Sequence, residues 1–109
     1  MKRVILESPY VGDVEENIAY ARAAVRDCLA RGEAPIASHL LYTLPGILDD
    51  GVAGERALGI AAGHAWMAQA ELMVVYRDRG VSGGMTHAIA LAEMRGLPIE
   101  YRNIAGASK

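Results

Sequence analysis

Residues 70–92, AELMVVYRDRGVSGGMTHAIALA, decide the fold. Leu72–Tyr76 is an uninterrupted hydrophobic run, which is typical of a strand buried on both faces of a parallel sheet. From Met85 to about Met94 the pattern is helical and ends at an Arg-Gly pair. The polar, glycine-bearing segment between them predicts a turn. A strand, a turn and a helix in this order form the repeating unit of parallel α/β proteins.

The same alternation extends to both ends of the chain. Short apolar runs predict further strands, and helices are predicted over residues 13–31 and 55–70. Alternation of strands and helices implies right-handed crossovers and a parallel sheet. We therefore predict an α/β fold of three layers, Rossmann- or flavodoxin-like, with about four strands and helices on both faces of the sheet. The three further strands are Val4–Leu6, Ala34–Ala37 and Leu97–Tyr101.

The first helix has the clearest periodicity. Asp13 can cap its amino end, and an Arg-Gly pair at residues 31 and 32 can end it. Apolar residues recur every three or four positions and predict one stripe that faces the sheet. This stripe consists of Val14, Ile18, Ala21, Val25 and Leu29.

Size and composition predict one domain over residues 1–104, with a tail at 105–109. Hydrophobic residues make up 52% of the 109 residues, a high share for so small a domain, so we expect a partner subunit to cover part of the surface. The apolar segment 38–54 is interpreted as a lid or as a subunit contact. We predict a homo-oligomer, a dimer or higher.

Charge and cysteine content exclude several classes of function. A net charge of −2 with interleaved signs gives no basic face for nucleic acid. The lone Cys28 and the separated histidines give no metal-site spacing, so we expect neither a metal nor a cofactor. No signal peptide and no membrane span is apparent, and we expect a cytoplasmic protein without a membrane partner, in the host cytosol if it is phage-encoded.

Ligands of open α/β sheets bind beyond the carboxyl ends of the strands, so segments 8–13, 38–43 and 78–86 should line a pocket. The loop from Asp78 to Gly84 opens a helix, and its backbone N–H groups could hold a phosphate or a carboxylate, with Ser82 as the cap. The alternative is an ordinary glycine turn. The spacing matches neither a P-loop nor G-x-G-x-x-G.

The other two segments offer polar and aromatic side chains. Tyr10 could stack on a base and His39 could contact a ligand, or Pro9 could merely end the strand and His39 be a loop histidine. The first turn of the last helix could bring His87 to the pocket. The predicted ligand-binding residues are Ser8, Pro9, Tyr10, His39, Asp78, Ser82, Gly83, Gly84, Met85 and His87.

Three segments, 4–10, 70–76 and 82–92, resemble the nucleoside 2-deoxyribosyltransferase-like superfamily, especially its small members from phage and bacterial genomes. The resemblance implies cleavage or transfer of an N-glycosidic bond by a glutamate of the last helix. The position of that glutamate falls on Ala88. Asp78, Ser82 and Gly84 match positions that the superfamily uses for binding.

The resemblance therefore implies binding more directly than catalysis. One hypothesis is a binder of a nucleotide or nucleoside-derived molecule, such as a phage-encoded protein that sequesters a nucleotide signal. The alternative is an N-glycosidic-bond hydrolase or transferase with a non-standard carboxylate, for which Glu7 and Asp78 are the candidates in this chain and a neighbouring subunit is another source. A third possibility is an assembly protein with a vestigial cleft.

Overall fold

A computed structural model gives the structure of the chain and describes residues 1–104, so the predicted tail lies outside the described residues. Strands and helices alternate along most of its length. The elements are β1 (Lys2–Glu7), α1 (Val14–Ala30), β2 (Glu33–Ile36), α2 (Ser38–Leu41), α3 (Ala53–Ala65), a 3₁₀ helix (Trp66–Gln69), β3 (Leu72–Tyr76), α4 (Gly83–Arg95) and β4 (Ile99–Arg102).

The four strands form one parallel sheet in the order β2-β1-β3-β4. The chain runs outward from β1 to β2, then returns past β1 to β3 and β4. The direction of winding thus reverses between β1 and β3, where a crevice opens beyond the carboxyl ends of the strands. The predicted α/β class and the parallel sheet are confirmed.

Each face of the sheet has its own apolar core, because successive side chains of a strand point to opposite faces. On one face, Ala24 and Cys28 of α1 pack in a cluster with Val4, Leu6, Leu72, Val74 and Tyr76. On the other, α4 and the 3₁₀ helix contribute to a cluster of Ile5, Met67, Met73, Val75, Met85, Ala88 and Ala92. The three-layer arrangement with helices on both faces is therefore confirmed.

The stripe predicted for α1 is wrong by about one residue. The buried residues of this helix are Asn17, Ala21, Ala24 and Cys28, whereas Leu29 is 52% exposed. Small side chains let the helix axis approach the sheet closely, so the larger aliphatic residues lie at the margin of the contact. The predicted cap is confirmed, since the Asp13 carboxylate accepts a hydrogen bond from the Glu16 N–H at 3.2 Å.

Segment 38–54, predicted to have no regular structure, begins with the short helix α2, and α3 already starts at Ala53. A side chain on Gly63 of α3 would place its Cβ 2.9 Å from the Ser38 Cβ of α2. The two helices therefore pack closely at this glycine. Within residues 1–104 no helix has the length and apolar character needed to cross a membrane.

Candidate ligand-binding pocket

A cavity of about 520 Å³ lies beyond the carboxyl end of β1, beside α2, α3 and the amino end of α4. This volume is in the range of pockets that hold small molecules. The β1, α2 and α4 walls come from the three segments expected to meet there, and α3 closes a further side. Its polar or aromatic lining residues are Glu7, Ser8, Tyr10, Ser38, His39, Tyr42, Thr43, Asp50, Glu55, Arg56, His64, Ser82 and His87.

Most of the predicted ligand-binding residues lie in this wall. They are Ser8, Tyr10, His39, Ser82, Gly83, Gly84, Met85 and His87, together with the catalytic candidate Glu7. The two exceptions are Pro9 and Asp78, which are absent from the lining of the pocket. Pro9 is a buried residue of the turn that follows β1, in keeping with its alternative interpretation as a strand terminator.

Asp78 has a structural environment instead. Its carboxylate accepts hydrogen bonds from the Tyr20 hydroxyl at 2.6 Å and from the Ile104 backbone N–H at 2.7 Å. It thus ties the loop after β3 to α1 and to the segment that follows β4. The sequence position matched the superfamily, but in this chain the side chain turns toward α1 and not toward the pocket.

Ser8 and His39 join two walls of the pocket. The Ser8 Oγ and the His39 Nε2 lie 2.7 Å apart, which links the end of β1 to α2. Burial lowers the pKa of His39 to about 4, so the imidazole is neutral at pH 7. The pair therefore presents an uncharged hydroxyl and an uncharged ring to a ligand, and it fixes the orientation of both side chains.

Glu7 is the last residue of β1, in register with Val75 of β3. Since side chains alternate, it lies on the same face as Ile5, which is the face covered by α4. No hydrogen bond or ion pair to its carboxyl occurs within residues 1–104, and since no fully buried side-chain oxygen there lacks a partner, the carboxyl is accessible from the pocket. Burial raises its pKa to about 8, so the group is mainly uncharged at neutral pH.

The amino end of α4 forms the third wall. The Ser82 Oγ accepts a hydrogen bond from the Met85 N–H at 3.3 Å and caps the helix, as predicted. Gly80 adopts a φ of +86°, which permits the tight turn before the cap. Gly83 and Gly84 then start the helix without side chains, so the first N–H groups and the positive end of the helix dipole are accessible from the pocket.

Ala88 lies one turn further along α4 and also lines the pocket, although it is only 1% exposed. The next acid on this helix, Glu93, is exposed and lies outside the pocket lining. Within the described residues, no carboxylate of α4 reaches the pocket. The acidic side chains that do so are Glu7, Asp50 and Glu55.

The contribution of α3 was missed from the sequence. The structure adds Glu55, Arg56 and His64 to the pocket lining, whereas Tyr42 lies in the predicted segment 38–43 and Asp50 in the segment interpreted as a lid. His64 lies against His87 of α4, with ring centroids 5.5 Å apart, and burial together with the neighbouring histidine lowers the pKa of His64. The signal was available, since Arg56, Gly59, Ile60, Gly63 and His64 share one helical face.

No group of three or more histidine, cysteine or acidic side chains suitable for a metal ion occurs in the described part of the chain. The chemistry that the pocket offers is therefore hydrogen bonding by Glu7, Ser8 and His39, aromatic contact with Tyr10 and Tyr42, and anion binding at the amino end of α4.

Comparison with known proteins gives two findings. A family model described as "Domain of unknown function (DUF7768)" matches residues 2–102, whereas no curated protein matches the chain. Among solved structures, the 2-deoxyribosyltransferase of Bacillus psychrosaccharolyticus is similar, with a TM-score of 0.64 and 15% identity over 93% of this chain and 72% of that one. That likeness shows a shared fold, while the family match over nearly the whole described structure shows that the chain belongs to the DUF7768 family.

Proposed function

We propose that this chain binds a nucleotide or a nucleoside-derived small molecule in the pocket at the strand ends, without catalysis by a glutamate of the last helix. The observation that carries the proposal is the contrast within α4. Its glycine-walled amino end is open to the pocket, while the buried Ala88 occupies the position where the superfamily resemblance requires a nucleophile.

The pocket can accommodate the parts of such a ligand separately. A phosphate or sugar hydroxyl fits the free N–H groups at Gly83 and Gly84, because anions are stabilised at helix amino ends. The rings of Tyr10 and Tyr42 line the pocket and offer faces for a planar base. The shared fold with a 2-deoxyribosyltransferase supports a nucleoside-related ligand, and the superfamily resemblance supports the same class.

The cellular setting belongs to the same proposal. We propose a cytoplasmic homo-oligomer that sequesters a nucleotide signal or metabolite, in a phage-infected or bacterial cell. Exposed large apolar residues on α3 and the 3₁₀ helix outside the pocket lining support a subunit contact, since Leu58 is 60% and Trp66 44% exposed in the single chain.

One observation favours a second candidate function, an N-glycosidic-bond hydrolase or transferase with a non-standard carboxylate. Glu7 and Ala88 line the same pocket on the same face of the sheet, so a carboxyl is present opposite the helix position that lacks one. The position of Asp78 outside the pocket lining leaves Glu7 as the stronger of the two predicted carboxylates.

Calorimetry against a panel of nucleosides and nucleoside 5′-monophosphates tests the proposal, with mass spectrometry of any molecule released by the denatured protein. We expect reversible binding and recovery of the ligand unchanged. Gly84→Leu, which adds a side chain at the pocket wall, should weaken binding at least about tenfold, equivalent to about 1.4 kcal/mol. Gly54→Leu is the matched control, because Gly54 is a helical glycine in open space outside the pocket lining.

The outcomes separate the candidates. Release of free base at an enzymatic rate, abolished by Glu7→Gln, would support the second function and overturn the first. If no member of the panel binds or raises the melting temperature, the nucleoside-related proposal fails. A ligand at 100 times its Kd would add about 2.7 kcal/mol of stability, which thermal unfolding detects easily.

A further inference from the structure

Glu7 is a half-buried carboxyl that lines the pocket and has no hydrogen-bond or ion-pair partner in the described residues. A carboxyl without a protein partner is hydrogen-bonded by water or by a bound molecule, and in a pocket a ligand can take the place of that water. We propose that Glu7 is the specificity-determining contact of the pocket and that its carboxyl donates a hydrogen bond to an uncharged acceptor of the ligand, such as a nucleobase ring nitrogen. The inference rests on the proposed function and deepens it.

The position of Glu7 supports a direct contact with ligand. The residue ends β1 on the α4 face of the sheet, where it is still paired with Val75 of β3, and it lines the pocket. Its neighbours on that face, Ile5 and Val75, are apolar, as are the pocket-lining Met85 and Ala88 of α4. The hydrogen-bond partner of the carboxyl is therefore either water or a polar atom of a ligand.

The charged and titratable groups around the pocket do not pair with the Glu7 carboxyl. None of them forms an ion pair with its carboxyl in the described structure, and burial is the cause of its raised pKa. His39 is itself neutral at pH 7 because burial lowers its pKa to about 4. The other charged and titratable side chains that line the pocket are Tyr10 after β1, His39 of α2, Tyr42 and Asp50 of the segment before α3, Glu55, Arg56 and His64 of α3, and His87 of α4.

An uncharged carboxyl has one O–H donor, whereas a carboxylate can only accept. A ring nitrogen with a free lone pair satisfies that donor without placing a charge in the pocket. The ionised form would set acceptor against acceptor and leave both groups unpaired, which is costly in a shielded site. The pocket should thus select a base with an unprotonated ring nitrogen at this point and should lose affinity as Glu7 ionises.

Adenosine and cytidine are suitable probes, since they carry no phosphate that titrates near neutral pH. If only the protonated form of Glu7 binds, a pKa of about 8 predicts that wild-type affinity falls about 30-fold between pH 7 and pH 9.5. Glu7→Gln keeps an N–H donor at the same place, so it should bind at both pH values with less than a threefold difference. Glu7→Leu, which has no donor, should bind weakly at both.

Glu93→Gln is the matched control, because Glu93 lies on the exposed side of α4 outside the pocket lining, and it should retain the wild-type pH profile. Deaza analogues, in which carbon replaces one ring nitrogen, identify the acceptor. One of them should lose affinity with the wild type and with Glu7→Gln, but not with Glu7→Leu. Thermal unfolding of each variant separates a loss of binding from a loss of folding.

Different results overturn different claims. If Glu7→Gln keeps the same decline of affinity with pH as the wild type, or if wild-type affinity does not change with pH, Glu7 does not make this contact, although the proposed function stands. If neither nucleoside binds at any pH and the nucleotide panel also fails, the proposed function and the Glu7 contact fall together.

Discussion

Two glutamates at strand ends, Glu33 and Glu7, are both half-buried but have opposite electrostatic environments. The Arg102 guanidinium binds Glu33 through two hydrogen bonds of 2.7 Å, and this pairing holds the pKa of that carboxyl below its usual range. Glu7 has no such partner in the described residues, and burial raises its pKa to about 8. The difference indicates that one region of the molecule serves stability and that the other is left incomplete for a ligand.

We call the first region the Arg102 network, which consists of Asp27, Cys28, Glu33, Tyr76 and Arg102 on the α1 face. The Tyr76 hydroxyl donates to the Asp27 carboxylate at 2.6 Å, and an Arg102 N–H contacts the same hydroxyl at 3.3 Å. Cys28 is a buried core residue whose sulfur lies 3.4 Å from that hydroxyl, as expected for a structural cysteine. No fully buried side-chain nitrogen or oxygen of the network lacks a hydrogen-bond partner in the described residues.

The largest loss of stability is expected when Arg102, the cation at the centre of the network, is removed. Arg102→Ala would leave Glu33 shielded without its partner, and breaking one side of a buried ion pair typically costs about 3 to 5 kcal/mol. Urea unfolding at pH 7 measures this cost. Arg22→Ala, at an exposed position of α1, should change stability by less than about 0.5 kcal/mol. A loss below 1 kcal/mol for Arg102→Ala would mean that the network contributes little to the fold.

Glu33 and Glu7 should also make opposite contributions to the dependence of the unfolding free energy on pH. The protonated form of Glu7 is favoured in the folded state, so its contribution is fully present below pH 4.5 and is lost as pH rises to about 8. Glu33 has a lowered pKa, so its contribution is present above pH 4.5 and is lost as pH falls through the folded-state value.

Comparison of the wild type with Glu7→Gln measures the contribution of Glu7 to the loss of stability at alkaline pH. Relative to this variant, the wild type should lose roughly 2 kcal/mol of unfolding free energy between pH 5 and pH 8.5, a figure that allows for screening by water in the pocket. Chemical denaturation across this range gives the difference, and Glu93→Gln serves as the reference. Parallel profiles for the wild type and Glu7→Gln would show that Glu7 titrates normally and would remove the contrast with Glu33.

The fold was predictable because its signals are local. The hydrophobic run Leu72–Tyr76 and the glycine-bearing turn after it specify a buried strand and a crossover helix without reference to the rest of the chain. The face of α1 was mispredicted because residue size alone does not reveal how closely a helix approaches its sheet, and Ala24 and Cys28 allow that close approach.

The pocket was predictable only where it follows from topology. Residues after β1, β2 and β3 converge because the carboxyl ends of parallel strands share one edge. The contribution of α3 depends on how α3 packs against α2 at Gly63, a tertiary contact that local sequence patterns do not specify. The environment of Asp78 likewise depends on Tyr20 and Ile104, partners that no short motif indicates.

A substitution in α3, which forms one wall of the pocket, should have a smaller effect on stability. Gly63→Ala places a methyl carbon 2.9 Å from the Ser38 Cβ, so α2 and α3 must separate, at a cost of about 1 to 3 kcal/mol. Because His39 follows Ser38, ligand affinity should fall as well. Gly54→Ala, in the first turn of α3 with open space around it, should be neutral or stabilising by up to about 1 kcal/mol. Equal stability of the two variants in thermal unfolding would contradict the close packing.

The smallest expected effect concerns Asp78, one of the two candidate carboxylates from the sequence, which the structure places outside the pocket lining. Asp78→Asn keeps an oxygen that can accept from Tyr20 or Ile104 but removes the charge, so we expect a loss of about 1 kcal/mol in urea unfolding. Nucleoside affinity, measured by calorimetry on the same preparation, should change less than twofold, in contrast to Glu7→Leu. A tenfold loss of affinity would instead place Asp78 with Glu7 among the groups that contact the ligand, because a side chain that only supports the loop after β3 should affect stability before it affects binding.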